Sequence, residues 1–152
     1  MGPGYGLIDK PDEGEYPQLT QVWEDAVRAS HHFLPDAYII RLKALLLTQY
    51  LKSVRLFCTR DDQLQITGFA GVGFGKLEML FISPAYQGKG LGRVLLAHAI
   101  ERFGISELDV NEQNLQALAF YRQQGFEVIR RSDVDGLGQP YPILRMRLQG
   151  LK

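Results

Sequence analysis

In the stretch SPAYQGKGLGRVLL, Ser83 to Leu96, glycines alternate at 88, 90 and 92 and a basic residue follows two of them, Lys89 and Arg93. An apolar-periodic run begins directly behind them, which puts the glycines at the start of a helix. A helix N-terminus leaves backbone N–H groups unpaired and carries partial positive charge. Glycine lets the main chain turn tightly and lets an anion approach without meeting a Cβ. Two cations in a first helical turn oppose the helix dipole, a cost that makes sense if an anion neutralises both. The chemistry on offer is therefore a grip on phosphate through the amides about Gly88, Gly90 and Gly92, with charge from Lys89 and Arg93. The plainer alternative is a glycine-rich connector with a solvated lysine. The stretch is not G-x-x-x-x-G-K-[ST], and GVGFGK at 71–76 fails that pattern too, with Ala70 in the first glycine place and Leu77 after the lysine. Neither stretch supplies G-x-G-x-x-G opening a helix in a repeated βαβ unit.

A second set of groups lies in NEQNLQALAFYRQQGF. Asn114, Ala117 and Tyr121 stand at i, i+3 and i+7, hence on one helix face, while Leu115, Leu118 and Ala119 make an apolar face for a sheet. A small residue between two hydrogen-bonding ones leaves a shallow groove suited to a thin, amide-bearing chain. The alternative is a core helix with Asn114 as its N-cap and Tyr121 reaching a backbone carbonyl. Other groups able to move a proton are scattered. Glu78 sits in an otherwise apolar strand, LEMLFI, and is either a site carboxylate or a sheet-end carboxylate in water. His31 and His32 lie where a helix breaks, and an imidazole there is partly neutral at pH 7. His31 is either a proton acceptor or a solvated surface residue; His98 falls on the polar side of its helix and reads as surface.

The elements that must position these groups follow from the pattern. YGLID is a short opening strand. Gly14 to Ser30 carries Leu19, Val22, Trp23, Ala26 and Val27 at helical spacing, and HHFLPD breaks it because Pro35 disfavours helical geometry at Leu34. A Leu- and Ile-rich helix runs from Asp36 to about Lys52. VRLFCTR and QLQITGFAGVGF form a hairpin about Asp61–Asp62. LEMLFI has the near-continuous apolar character of a strand buried on both faces. Gly88 to Phe103 is a helix whose Leu91, Leu95, Leu96, Ala99, Ile100 and Phe103 share one half of the wheel. SELDV is a strand, LQALAFYRQQ a helix closed by Gly125 as a left-handed cap, and FEVIRRSDV pairs with YPILRMRL across DGLGQP. The order β-α-α-β-β-β-α-β-α-β-β predicts a mixed α/β (α+β) sheet covered by helices.

The totals suit one domain over residues 1–152 with a proper core: 45% hydrophobic, 22% charged and zero net charge from 17 basic and 17 acidic residues. Nothing in that balance steers the chain to nucleic acid or a membrane surface. One cysteine, Cys58, excludes an intramolecular disulfide and any cysteine zinc site. No apolar run has membrane-span length, and the start of the chain lacks a basic-then-apolar signal pattern. The expectation is a soluble cytoplasmic monomer or homodimer.

Both motifs, in this order, resemble the GNAT family of acetyl-coenzyme A-dependent N-acetyltransferases. Gln87, Gly90 and Gly92 meet that family's Q/R-x-x-G-x-G/A loop. Asn114, Ala117, Phe120, Tyr121, Gly125 and Phe126 match its N-x-x-A-x-x-F/L-Y-x-x-x-G-F helix. SHHFL, VNEQN and SDVDGLGQPYPIL extend the likeness, from about Gly14 to Leu148, to the YjaB-type subgroup of bacterial acetyltransferases. The resemblance implies the GNAT acyl-CoA N-acyltransferase fold, with acetyl-CoA as acetyl donor and no metal. It implies that the loop amides hold the coenzyme's diphosphate, that Leu80, Phe81 and Ile82 offer main-chain groups to the pantetheine arm, that Asn114 contacts that arm, and that Tyr121 protonates the departing thiolate. His31 matches a subgroup position. Trp23, Phe33 and Tyr141 would wall an amine pocket, or else pack in the core.

Acetyl transfer to a primary amine needs a neutral amine, a held carbonyl, a stabilised oxyanion and a departing thiolate. At a lysine-like pKa only about one amine in 10³ is unprotonated near pH 7. A base, or a site that disfavours the ammonium, recovers up to about 4 kcal/mol. Glu78 and His31 are the candidates for the base. A general acid at Tyr121 contributes about 10²–10⁴-fold, proximity contributes more, and N–H groups of the LEMLFI strand pointing into a gap in the sheet would hold the oxyanion. Cys58 has no activating partner in sequence, so transfer is direct, in a ternary complex. The acceptor is a small-molecule amine or a peptide or protein amine. The other readings are a coenzyme A-binding sensor that lost turnover and a structural domain whose loop binds nothing.

Overall fold

A computed structural model describes residues 8–150. The expected opening strand at YGLID falls largely outside the described residues, where Asp9 forms an isolated antiparallel bridge with Cys58. The first helix, α1, spans Tyr16–Ser30 behind a single 3-10 turn at Glu13–Glu15, with a proline in its first turn where the missing N–H costs nothing. Helix α2 covers Asp36–Leu45, shorter than the expected Asp36–Lys52. The chain stays helical beyond it, but as a π turn over Leu46–Tyr50 and a 3-10 turn over Leu51–Ser53, which bury Leu46 and Leu51.

Strands β1 (Arg55–Arg60), β2 (Ile66–Val72) and β3 (Lys76–Ile82) form an antiparallel meander. Helix α3 spans Leu91–Phe103 and leads into β4 (Glu107–Asn111), which lies parallel to β3. Helix α4 covers Leu115–Gln123, and β5 (Phe126–Ser132) and β6 (Ile143–Leu148) complete a six-stranded mixed sheet of order β1-β2-β3-β4-β6-β5. Two apolar clusters sandwich this sheet. Leu91, Leu95, Leu96 and Ala99 of α3 and Leu118 of α4 pack with Phe57, Leu108 and Met146 on one face. Leu19, Trp23 and Val27 of α1 pack with Ile39, Cys58 and Phe69 on the other.

Two features of β3 differ from expectation, and both shape the site. The strand is not buried on both faces: Met79, Leu80 and Phe81 are half-buried and Glu78 is exposed. The reason is that β3 and β4 pair only at Lys76↔Glu107 and Leu77↔Leu108 and then diverge, leaving a gap in the sheet. Glu78 also stands as the extra residue of a bulge, since Gly71 pairs with Met79 but Val72 pairs with Leu77. A bulge re-aims the side chains that follow it. Here Leu80 and Ile82 turn to the α3 side and Met79 and Phe81 to the α1 side.

Helix α3 begins three residues later than expected, because Gly88 and Gly90 hold φ of +77° and +82°, outside helical space. Its apolar stripe is otherwise as the wheel predicts. Helix α4 differs more. Leu115 is 73% exposed and Ala119 is also exposed, so only Leu118 of the expected apolar face is buried. The helix grips the sheet instead through Leu118 and Tyr121, with Ala117 and Phe120 partly covered, the side on which a cavity also lies. Gly125 closes α4 at φ +98°, the left-handed cap the sequence predicts. Among the described residues no helix is long and apolar enough to cross a membrane.

Candidate active site

The glycine loop bounds one end of a cavity of about 380 Å³ that runs between α3, α4 and the C-terminal half of β3. Among the described residues the main-chain N–H groups from Gly88 to Arg93 make no hydrogen bond; the first to bond back is Val94, to the Gly90 carbonyl at 3.1 Å. A Cβ added at Gly88 or Gly90 would meet nothing within 4 Å, so what those positions require is the left-handed backbone that opens the amides. Gly92 is different, since a Cβ there would touch the Phe120 ring at 3.4 Å. Gln87 anchors the loop by donating from Nε2 to the Ile82 carbonyl at 3.1 Å. Unpartnered amides facing an open cavity at the start of a 13-residue helix fit a diphosphate.

Of the residues assigned to the coenzyme from sequence, Gln87, Gly88, Gly90, Leu91, Gly92, Arg93, Leu80, Phe81, Ile82, Asn114, Ala117 and Phe120 all line this cavity. Lys89 does not; it is exposed.

Where β3 and β4 part, a narrow extension of about 100 Å³ continues the cavity through the sheet. His31, Leu80, Phe81, Asn114, Ala117 and Tyr121 border both spaces. The Ser83 N–H bonds to the Thr67 carbonyl of β2 at 2.9 Å, so antiparallel alternation turns the N–H and C=O of Ile82 and Leu80 away from β2 toward the gap. Gln87 takes the Ile82 carbonyl, and the Leu80 N–H is left facing the opening. Tyr121 is 8% exposed, and its hydroxyl makes no hydrogen bond among the described residues. Burial raises its pKa well above the ordinary phenol value, so the proton stays on. His31 is not a solvated residue: it is 8% exposed, and burial, with the neighbouring His32 a lesser cause, lowers its pKa to about 4. Asn114 caps α4, its Oδ1 accepting from the Ala117 N–H at 3.2 Å, while its Nδ2 lies 3.4 Å from His31 Nε2. The residue that caps α4 also lines the cavity.

On the far side of the sheet the gap opens into a groove of about 590 Å³, sharing Glu78, Met79 and Asn111 with it. The groove walls are largely apolar, from Leu34, Leu42 and Ile143 to the fully exposed Phe74 at the β2–β3 turn. Its ionisable carboxyls are Glu78 and Asp135, and among the described residues no lysine or arginine lines it. Lys76 stands 3.5 Å from Glu78 but 2.7 Å from Asp109, so its charge is shared. Phe33 and Tyr141 form a partition of rings from His31 to the groove: His31–Phe33 at 5.3 Å, Phe33–Tyr141 at 6.0 Å and Tyr141 stacked on Tyr38 at 5.3 Å. None of the three residues expected to wall an amine pocket lines these spaces. Trp23 is buried in the cluster between α1 and the sheet, edge-on to Phe81 at 6.4 Å, and Phe33 and Tyr141 reach the groove only through the ring of Tyr38. His98 is likewise not a plain surface residue, since its ring packs on Phe57 at 4.7 Å.

Three residues given no role from the sequence also shape the site. The Tyr38 hydroxyl donates to Asp135 Oδ2, and Asp135 Oδ1 accepts the Leu137 and Gln139 N–H groups. Together they tie the connection between β5 and β6 to α2. Ser30 contacts His31 Nδ1 at 2.7 Å. Asp135 in DGLGQP is a turn signal legible in sequence, but its partner Tyr38 is not. Among the described residues no group of His, Cys, Asp and Glu has the arrangement of a metal site. Cys58 is buried, and burial pushes its thiol up to about 11.

Comparison with known proteins bears on the family and the fold. A family profile described as acetyltransferase (GNAT) domain matches residues 39–147. The chain is 38% identical over 135 residues to the peptidyl-lysine N-acetyltransferase YjaB of Salmonella typhimurium, covering 89% of this chain and 91% of that one. It is 38% identical over 139 residues to Escherichia coli YjaB, covering 91% and 92%. The solution structure of apo-form YjaB from Escherichia coli superposes with a TM-score of 0.87 at 36% identity, over 95% of this chain and 98% of that one. The PaiA N-acetyltransferase of Thermoplasma acidophilum, solved with coenzyme A, shares the fold at a TM-score of 0.69 and 23% identity, covering 93% and 98%.

Proposed function

The chain belongs to the GNAT family of N-acetyltransferases, and on that premise we propose that it is a single-domain enzyme acetylating lysine side chains of peptides or proteins. Acetyl-CoA supplies a thioester acyl group whose thiol, with a pKa near about 8.5, is a fair leaving group. The observation that carries the reading is the continuity of three spaces. A cavity edged by free amides, a gap edged by His31 and Tyr121, and a groove holding two carboxylates and no cation meet where β3 leaves β4.

In this reading the amides of Gly88–Arg93 bind the diphosphate, and Asn114 and Ala117 flank the pantetheine arm. The Leu80 N–H faces the oxyanion, a contribution of the kind worth roughly 3 kcal/mol when such a donor is removed. Apolar walls take the butyl stem of the lysine, and Glu78 draws its ammonium toward the gap, where it releases one proton to solvent to become the neutral amine that attacks. His31, neutral at pH 7 because burial disfavours its cation, accepts a proton as the carbon–nitrogen bond forms. Tyr121 gives its proton to the departing sulfur. The assignment of a lysine acceptor rests on the groove's charge and on the names of the YjaB relatives.

Incubation with acetyl-CoA and a lysine-containing peptide, followed by free-thiol release and mass spectrometry of the peptide, tests this. Acetyl on the lysine side chain is the expected product. Coenzyme binding with no thiol release on any amine would mark a sensor instead, and turnover of small amines with none of peptides would overturn the acceptor class.

A further inference from the structure

Helix α1 ends in a short relay of hydrogen bonds whose donors and acceptors are fixed from both ends. At one end the Ser30 hydroxyl donates to the Ala26 carbonyl at 2.8 Å. A hydroxyl has one hydrogen, so with that spent Ser30 Oγ can only accept at its 2.7 Å contact with His31 Nδ1. Nδ1 must then carry the ring hydrogen. At the other end Asn114 Oδ1 accepts from the Ala117 N–H, which fixes the orientation of the amide and turns Nδ2 toward His31 Nε2 at 3.4 Å. An amide NH₂ only donates, so Nε2 must be the bare nitrogen. Two independent assignments, from opposite ends of the relay, give the same tautomer.

We propose that Ser30 is a positioning residue for acetyl transfer, holding His31 as the Nδ1–H form so that the bare Nε2 faces the gap and receives the proton of the acceptor amine. The inference rests on the reading of His31 as the proton acceptor. As the nitrogen lone pair bonds to the carbonyl carbon, the nitrogen's proton passes to Nε2, the carbon–sulfur pair leaves with sulfur, and sulfur takes the phenol proton of Tyr121. The imidazolium keeps its Nδ1–H on Ser30 throughout and returns its other proton to solvent afterwards, and the phenol is reprotonated from solvent. At 3.4 Å the Asn114 contact is long for a hydrogen bond, so an amine displaces it readily. The opposite tautomer would require Ser30 to release Ala26 and would present an N–H to the amine, a donor where an acceptor is needed.

The wild-type protein tests the tautomer directly. Imidazole ¹⁵N spectra near pH 7, with His31 assigned by loss of its signals in H31Q, are expected to show a protonated Nδ1 and a bare Nε2; a protonated Nε2 overturns the inference. In turnover, Ser30→Ala is expected to lower kcat on a lysine peptide about tenfold or more with KM for acetyl-CoA unchanged, while Ser30→Thr, which keeps the hydroxyl, restores it. Full turnover by H31Q would overturn the role of His31 and Ser30's part in it together. Loss in H31Q with none in S30A would overturn the Ser30 inference alone.

Discussion

On the coenzyme side of the split sheet, the cavity is bounded chiefly by one continuous stretch, Leu80–Arg93, and by one face of α4. Much of what it offers a ligand is main chain: the amides of the glycine loop and the Leu80 N–H. On the acceptor side the groove is made of side chains drawn from α2, the β2–β3 turn, β3 and the β5–β6 connection. Its most specific internal bond, Tyr38 to Asp135, joins residues 97 positions apart. A site made of backbone must impose special conformations, hence glycines at fixed spacing. A site made of side chains asks only that the right groups converge, and leaves no local spacing to read. On the proposed reading the first side serves one invariant ligand, the second whatever acceptor its side chains select.

The largest separation between the two sides is expected at their junction. Tyr121→Phe should lower kcat by about 100-fold or more, leaving coenzyme affinity by calorimetry intact; equal loss of both would mean the ring serves packing, through Phe120 and Phe126. On the coenzyme side alone, Gly90→Val places a β-branched residue at φ +82° and should weaken coenzyme A binding about 100-fold. Unchanged affinity would break the backbone account.

The junction also carries a stability signature. Because burial lowers the pKa of His31 from 6.5 to about 4, the unfolded chain binds that proton more readily than the folded one between those values. Stability is untouched by this group above pH 6.5 and falls as pH drops toward 4, by about 3 kcal/mol in total. Melting temperature against pH should therefore fall less steeply for H31Q than for the parent in that window, and parallel curves would contradict the burial. Smallest is the acceptor side: Glu78→Gln should raise KM for a lysine peptide about tenfold with KM for acetyl-CoA unmoved. If both constants move, the groove is not a separate compartment.

This contrast also accounts for what the sequence made legible. The loop, the helix face of Asn114, Ala117 and Tyr121, the element order from the first helix onward and the left-handed cap at Gly125 are all local, and the structure carries them as read. The misreadings have tertiary causes. LEMLFI looks like a doubly buried strand because its residues are apolar, yet a bulge at Glu78 and the parting of β4 leave half of it facing open space. Leu115 and Ala119 have helical spacing but face solvent, because α4 turns Tyr121 and Phe120 inward beside a cavity. Trp23 is a core residue because α1 lays its apolar stripe on the sheet below the groove. Ser30 and Asp135 stand in stretches whose likeness is legible, but the hydrogen bonds they make are not, and only the fold brings Tyr38 to Asp135.

The central claim is that coenzyme and acceptor meet through the gap between β3 and β4. A crystal structure with a bisubstrate analogue, coenzyme A joined through an acetyl bridge to a lysine peptide, tests it most directly. The account predicts diphosphate density on the amides of Gly88–Arg93, the bridge in the gap between His31 and Tyr121, and the lysine stem in the groove beside Glu78. Density with the peptide on the coenzyme side of the sheet, or with the diphosphate away from the glycine loop, would contradict it.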